Sequence, residues 1–592
     1  MTRRENIFLE CVCWGLEQIM AKYDLVFIHA PSVYDFRKES MFYGPVSDLV
    51  PSTPVFEMYP FGFTTMAAHL SKAGYKVRII NLASMMLNDS KLDVEAFLSK
   101  IDSEVFGIDL HWLPHAHGSL AVAEIIKKLH PQSKVLFGGF SSSYFQEELI
   151  QYPQVDLVLR GDSVEQPIVT LMDTLSKGGD LSKVPNLTWK KDGKATINDM
   201  TFIPDDLDYL DIDYAWIIKS VIKNMDLEGA KPFKDWERYP LTVSFTVRGC
   251  SHRCAVCGGS CGANKVVLSR SKPAFRSPEK VAEDISNVEN YLKAPVFVVG
   301  DLRQHGESYA ERFFKECKRL DIDTHVILEY FVPPPESFFK AADSTFSRYS
   351  IQFSPDSHEE NVRYALGRRF DNHSMNKSIG FALQNNCQRF DMFFMIGLPE
   401  QTPESAISSA QYTKDLYSNN NNDSRLHIYT SPLAPFLDPG SFAFEEPEKY
   451  GYKLLAHTLE EHRVRLTSPS WKDVLSYETK WMTRDQIAQT SYDAADLLSK
   501  VRLDVGHIDQ QEYDEITSRS KEARALLVEV ENATKLPNPE ERRAALDALR
   551  GRGMELMEST ICQKRELEWD SQSVFRSAPR VVKGLIFKKK KR

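Results

Sequence analysis

Three cysteines on one short loop are the residues of this chain whose type and spacing can do chemistry: Arg248-Gly-Cys250-Ser-His-Arg-Cys254-Ala-Val-Cys257-Gly-Gly. Three thiolates so close together can hold three irons of a cubane iron–sulfur cluster and leave the fourth iron without a protein ligand, open to a reactant. Two other uses of the same thiols stay open. Cys261 can complete a structural zinc site, and the Cys254, Cys257, Cys261 spacing also suits a closed four-cysteine cluster. Closed zinc sites usually draw two ligand pairs from separate segments, whereas all four cysteines here lie between Cys250 and Cys261. The apolar run Leu241-Thr-Val-Ser-Phe-Thr-Val247 reads as a buried strand, which places the thiols on the loop at its C-terminal end.

A second group of candidates sits further upstream. His111, His115 and His117 crowd one loop after the strand Val105–Leu110, where they can bond backbone or solvent or, as neutral imidazole, offer a ligand to cobalt. Two more strand ends carry Phe137-Gly138-Gly139-Phe-Ser141-Ser142 and Leu159-Arg160-Gly161-Asp162. Paired glycines let a backbone approach a flat ligand, and serine hydroxyls can hydrogen-bond it.

From Tyr23 to about Gly178, strands alternate with helices of about a dozen residues, the pattern of a doubly wound parallel sheet whose ligands bind at the C-terminal strand ends. After the cysteine loop, Ser277 and Pro278 read as the N-cap and first position of a helix. Strand-like runs follow at 295–299, 325–331, 347–353 and 389–396, which suggests an open or partial parallel barrel with its site at the C-terminal face. From about 441 the chain is expected to lose its strands and become helical. The expected organisation is an N-terminal arm 1–22, an α/β Rossmann-like domain 23–180, a linker 181–236, a partial barrel 237–440, a helical domain 441–572 and a basic tail 573–592.

Composition excludes several classes. The chain of 592 residues is 42% hydrophobic and 26% charged, as ordinary globular proteins are, and its net charge of -9 argues against nucleic acid as a partner. No apolar run is long enough to span a membrane, and the first residues lack a secretory signal, so a cytoplasmic protein is expected. Four of nine cysteines bunch between 250 and 261, unlike a disulfide framework; Cys317, Cys387 and Cys562 read as packing thiols, and Cys11 with Cys13 as a pair without a third partner.

The Cys-x-x-x-Cys-x-x-Cys spacing resembles the signature of the radical S-adenosylmethionine (SAM) enzymes, with Val256 where that family commonly has an aromatic residue. Residues 23–175, with Pro60-Phe-Gly-Phe-Thr-Thr-Met-Ala-Ala-His-Leu and the Arg160-Gly161-Asp162 step, resemble the cobalamin-binding domain that precedes the radical domain in the cobalamin-dependent members. The resemblance implies a [4Fe–4S] cluster on Cys250, Cys254 and Cys257, with SAM chelating the open iron and cleaved to a 5′-deoxyadenosyl radical. It implies SAM contacts from Gly300 and Asp301, from Ser354 and Asp356, and from Ile396, Gly397, Leu398 and Pro399, with Arg363 and Arg368 following at the expected interval. It implies cobalamin contacts from His111, Gly138, Gly139, Ser141, Ser142, Arg160 and Gly161. The Asp-x-His-x-x-Gly motif of histidine-ligated cobalamin does not follow the first strand; Asp109-Leu-His111 occurs after the third and runs on to Pro114.

The implied activity is functionalisation of an unactivated C–H bond, with methyl transfer through methylcobalamin first. Ring formation or carbon–carbon coupling is the second reading, and a zinc-stabilised binding protein the non-enzyme one. A methylthiotransferase would need a third N-terminal cysteine beside Cys11 and Cys13. Expected partners are a small-molecule or lipid substrate and an electron donor such as flavodoxin or ferredoxin. The basic tail, with its apolar patch Gly584-Leu-Ile-Phe587, can touch anionic lipid as a peripheral contact or stay solvated.

Overall fold

Apolar β-branched runs separated by amphipathic helices build two parallel sheets, each in its own compact unit. The computed structural model describes residues 22–49, 52–433, 435–556, 560–577, 579–581 and 583. Cys11 and Cys13, the N-terminal arm up to residue 21 and the apolar patch of the tail lie outside these residues. One unit gathers the chain up to 37 with 55–203 and 210–234; the other gathers 38–54, 204–209 and 235 onward.

The first sheet contains β1 (Tyr23–His29), β2 (Val77–Asn81), β3 (Ser103–Asp109), β4 (Lys134–Gly138), β5 (Leu157–Leu159), β6 (Leu187–Lys191) and β7 (Lys194–Ile197). Their order is β2-β1-β3-β4-β5-β6-β7, with parallel pairing through β5 and antiparallel pairing beyond it. Leu25, Phe27, Val105, Leu136 and Leu157 stack with Phe63, Ile168 and Leu171 in a buried core, and that burial, at about 25 cal/mol per Å2, is the main force holding helix to sheet. Chain order reverses between β1 and β3, so the switch-point crevice opens between the ends of those two strands, at His29 and Asp109.

The segment expected to be a linker is instead partly structural. Residues 187–197 form the β6–β7 hairpin that extends the sheet, and Tyr214–Asn224 is a helix capped by Asp213. Its proline-rich stretches hid these short elements from periodicity alone.

The second sheet is all parallel and runs in chain order. It contains β8 (Thr242–Phe245), β11 (Val296–Val299), β12 (Val326–Tyr330), β13 (Tyr349–Asp356), β14 (Phe390–Ile396) and β15 (Leu426–Pro432). Between β8 and β11 a two-residue antiparallel pair, β9 (Val247–Arg248) with β10 (Ala274–Phe275), brackets the cysteine loop. Six parallel strands in sequential order with helices between them form an open, partial (β/α) barrel. Ser277 caps the helix Pro278–Glu289 by accepting from the Lys280 N–H at 3.2 Å.

The C-terminal region is mainly helical, with long helices at Arg484–Asp504, Gln510–Thr534 and Pro539–Glu555. It does not lose its strands entirely: β16 (Tyr452–Leu454) pairs antiparallel with β17 (Tyr477–Thr479). At three residues each, these strands are too short to show an alternating pattern.

Candidate functional site

The cysteine loop leaves β9 through Gly249 and is held from three directions. The Ala255 N–H donates to Leu366 O at 2.7 Å, the Gly258 N–H to the Asp438 carboxylate at 2.9 Å, and the Ala443 N–H to Ala255 O at 2.8 Å. Gly367, at φ 105°, is required here, because a Cβ would stand 2.5 Å from Arg253 O and 3.3 Å from the Cys254 Cα. All four thiols are free. Backbone N–H groups of His252 and Gly259 point at the Cys250 and Cys257 sulfurs at 3.4 and 3.2 Å, the kind of bond that steadies thiolate charge. Burial pushes the Cys250 thiol up to about 11 and raises Cys254 as well, so binding a metal must displace protons from this loop.

Four thiolates on one tetrahedral zinc, each about 2.3 Å from it, would stand about 3.8 Å apart. Among the described residues, His29, Asp109, His111 and His115 are a group placed to hold one metal ion, with donor atoms within 4.8 Å of one another, and the thiols are not part of it. A cubane sets a different demand, because its cysteines sit on different irons. Cys261 opens the helix Cys261–Leu268, its own N–H donating to His252 O at 2.9 Å.

The other expected SAM residues occupy the barrel's strand ends. Asp301 is buried, and its carboxylate already accepts from the Arg303 N–H at 2.9 Å, the Phe331 N–H at 3.0 Å and the Arg303 side chain at 3.2 Å. The Gly300 N–H donates to Glu329, a residue that sequence reasoning passed over because it lies inside β12. Burial pushes the Glu329 carboxyl up to about 7, with the Asp301 carboxylate adding to the shift. Asp356 ends β13 beyond a register shift after Phe353 and adopts φ 68°, a strained conformation for a non-glycine residue. Its carboxylate pairs with Arg368 Nε at 2.6 Å. Burial works against the Arg368 charge, but Asp356, Cys254 and Cys257 more than offset it and raise the guanidinium above its ordinary value. Ser354 is half-buried on the same strand end. Arg363 is buried and spent on structure, donating to Ser357 O, Phe370 O and Asn372.

The segment 395–401 closes on itself. Gln401 accepts from the Gly397 and Leu398 N–H groups at 2.9 and 3.2 Å and donates to Met395 O at 2.9 Å, while the Tyr452 hydroxyl donates to Gly397 O at 2.8 Å. Ile396 and Leu398 are buried, and Pro399 is buried beside them. Leu398, Val362 and Leu366 form an apolar cluster against which Val256, Met395 and Leu433 pack. Val256 thus joins this apolar wall from the cysteine loop.

In the first unit, Gly138 and Gly139 end β4. Gly139, at φ 113°, leaves no room for a side chain: a Cβ would meet the His111 Cα at 2.5 Å. The Ser141 hydroxyl is buried without a hydrogen-bond partner, whereas Ser142 returns its hydroxyl to Gly138 O at 3.1 Å. An orphaned buried hydroxyl beside a glycine turn is what a site for a polar ligand edge would offer. Arg160 is buried and directed to Asn198 O, so it anchors the β6–β7 hairpin, and the Gly161 N–H donates to the Ser143 hydroxyl at 3.1 Å. His117 accepts from the Tyr34 N–H at 3.3 Å. Asp109 is gripped by His29 Nδ1 at 3.0 Å and by His111 Nδ1 at 2.6 Å. Burial opposes their charges, yet the pairing holds the carboxyl below and the His29 imidazole above the ordinary range. Burial holds His115 well below its ordinary value, with His29 and His111 adding to the effect.

Residues 49–166 match the B12 binding domain family. The chain is similar to an uncharacterized methyltransferase of Pyrococcus horikoshii, 25% identical over 38% of this chain and 45% of the relative. It is also similar to the anaerobic magnesium-protoporphyrin IX monomethyl ester cyclase of Synechocystis, 24% identical over 39% of this chain and 43% of the relative. These matches span less than half the length of either curated relative. Among solved structures, the radical SAM methyltransferase TsrM of Kitasatospora setae, with cobalamin and a [4Fe-4S] cluster bound, superposes with a TM-score of 0.55 at 12% identity, covering 91% of this chain and all of that one. The chain joins a match to the B12 binding domain family at 49–166 with the fold it shares with TsrM. That pairing accounts for two parallel sheets in one chain, each with its candidate groups at the C-terminal strand ends. Among the described residues, no helix is long and apolar enough to cross a membrane.

Proposed function

We propose that this chain is a cobalamin-dependent radical SAM enzyme that functionalises an unactivated C–H bond, with methyl transfer as its outcome. The observation that carries the reading is Cys250, Cys254 and Cys257 on one loop at the strand ends of a parallel barrel, all three free, with Arg368 set against two of them. The bound groups supply the difficult chemistry: reductive cleavage of SAM at a [4Fe–4S] cluster gives the hydrogen-abstracting radical, and cobalamin carries the methyl group.

The chain's own residues bind, orient and exclude water. The three cysteines would hold the cluster, steadied by the His252 and Gly259 N–H groups. Glu329 receives the Gly300 N–H and, unlike the triply bonded Asp301, keeps an acceptor oxygen for the ammonium of SAM. Arg368, already paired with Asp356, would meet the SAM carboxylate or the cluster's negative charge. Val256, Leu398 and Met395 give an apolar wall for the adenine, and Ser354 stands on the same strand end for the ribose. In the first unit, the Gly138–Gly139 turn and the Ser141 hydroxyl would cradle the corrinoid, with Ser142 and Gly161 shaping the turn. His111, with Nδ1 bonded to Asp109, would lie beside the corrinoid. The substrate would be a small molecule, as the tryptophan bound to TsrM is, and the reducing equivalent would come from a flavodoxin or ferredoxin.

The test is anaerobic reconstitution with iron, sulfide and methylcobalamin, followed by incubation with methyl-labelled SAM and reductant. Formation of 5′-deoxyadenosine, a dithionite-bleachable visible band and label carried into product support the proposal. A protein that stays colourless refutes it. Ring formation is the second reading, favoured by the likeness to the Synechocystis cyclase. It predicts 5′-deoxyadenosine and a product without label.

A further inference from the structure

At the switch point of the first sheet, His29 ends β1, Asp109 ends β3, and His111 and His115 follow on the next loop and short helical turn. One donor atom from each lies within 4.8 Å of all the others, and three of the four residues are fully buried. A hydrogen-bonded relay of His29, Asp109 and His111 explains three of these groups but not the fourth. The His115 ring sits 4.7 Å from that of His29 and 4.8 Å from that of His111, yet no hydrogen bond ties it to the carboxylate.

The outer nitrogens are informative. His29 Nε2 is held by Phe56 O at 2.9 Å and His115 Nδ1 by Ala30 O at 3.2 Å, which turns His29 Nδ1 and His115 Nε2 toward the common centre. Backbone carbonyls that fix the far nitrogen of each imidazole are the usual second layer of a metal site, because they set the tautomer and ring orientation. We infer that His29, Asp109, His111 and His115 form a closed site for a single zinc-class divalent cation.

Three imidazoles and one carboxylate fit zinc and disfavour the oxygen-seeking magnesium and calcium ions. Donors on a tetrahedral zinc stand about 3.3 Å apart, so the four groups need shifts of only about 1 Å to converge. Corrin cobalt does not fit this centre. Its four equatorial positions are filled by the macrocycle, so it can take one protein nitrogen and not four convergent donors. An ion here would tie together the ends of β1 and β3 where the sheet's switch-point crevice opens. The inference does not rest on the proposed reaction.

The test uses the full chain purified anaerobically with its own iron and cobalamin retained, then loaded with one equivalent of Zn2+. Zinc-edge X-ray absorption is expected to show imidazole nitrogen and carboxylate oxygen at about 2.0–2.2 Å, with no sulfur shell near about 2.3 Å. Asp109→Asn and His111→Ala are each expected to weaken zinc binding about 100-fold or more, while Cys250→Ala with Cys254→Ala and Cys257→Ala leaves it unchanged. A sulfur shell in the parent chain, failure to retain zinc, or binding indifferent to His111→Ala would overturn the inference. The absorption spectrum of the unmutated protein decides the matter even if a variant misfolds.

Discussion

The strand ends of the two sheets are built on opposite plans. At the ends of β1 and β3 in the first sheet the polar groups largely satisfy one another: Asp109 is bonded by two histidines, and backbone carbonyls hold the outer nitrogens of His29 and His115. In the barrel, free thiols, a carboxyl pushed up to about 7 at Glu329 and a strained Asp356 stand unsettled around Arg368. On the proposed function, the contrast separates a platform from a reactive rim. A platform gains from internally closed contacts, whereas a rim must keep donors and acceptors unspent for what binds there.

The comparison breaks most visibly at the thiols. Replacing Cys250, Cys254 or Cys257 with Ala is expected to abolish iron incorporation and lower 5′-deoxyadenosine formation by at least about 1,000-fold, with circular dichroism unchanged. Cys261→Ala is expected to keep both, because its backbone and not its sulfur serves the loop by bonding His252 O. Loss of iron from the Cys261 variant would point to a closed four-cysteine site.

Next comes the platform. Gly139→Ala forces a Cβ to within 2.5 Å of the His111 Cα at a left-handed φ of 113°, while Gly138→Ala meets nothing nearer than 3.6 Å. Chemical denaturation should show Gly139→Ala destabilising the first unit by about 2–4 kcal/mol and Gly138→Ala by less than about 1 kcal/mol. Equal effects would mean that the turn is not the tight point of the platform.

Much of this was legible in the sequence, and what was not has physical causes. Most strands of both sheets are readable as apolar runs bounded by turn residues, even the three-residue β5, whereas β15 (Leu426–Pro432) at the edge of the second sheet is not among the expected strands. Both three-residue strands of the C-terminal hairpin fall below the length at which a period shows, and so did the β6–β7 extension among its prolines and glycines. The candidate thiols were found by spacing, and the glycine turn by its position after a strand. Glu329 was not, since a single acid in the strand His325-Val-Ile-Leu-Glu-Tyr carries no local signal, and only the fold brings it to the Gly300 N–H. Likewise the His29 and Asp109 pairing joins residues 80 positions apart.

A smaller effect is expected at Arg368. Arg368→Met removes the charge that faces Asp356, Cys254 and Cys257, whereas Arg368→Lys keeps the charge and loses the planar fork. The Met variant should lower the cluster's midpoint potential and weaken SAM about 10-fold, with Lys intermediate. A potential unchanged in both variants would confine Arg368 to pairing with Asp356.

The subtlest prediction concerns Glu329 and pH in the cofactor-free protein. Its folded-state value of about 7 lies above the ordinary glutamate value, so the folded chain binds this proton more tightly than the unfolded chain does. The stabilisation is therefore complete below the unfolded value and is lost as pH rises toward and through 7. The expected loss is at most about 3 kcal/mol, reduced by the partial solvent contact of this half-buried residue. Glu329→Gln should flatten that slope in urea melts taken between pH 5 and 8, and it should leave the slope from every other group in place. SAM binding would sharpen the comparison further. A bound ammonium favours the carboxylate, so SAM should take up less of its affinity from Glu329 at low pH, and the pH dependence of SAM affinity should disappear in the Gln variant. A wild-type stability profile already flat across this range would place Glu329 with the settled groups of the first sheet and not with the rim.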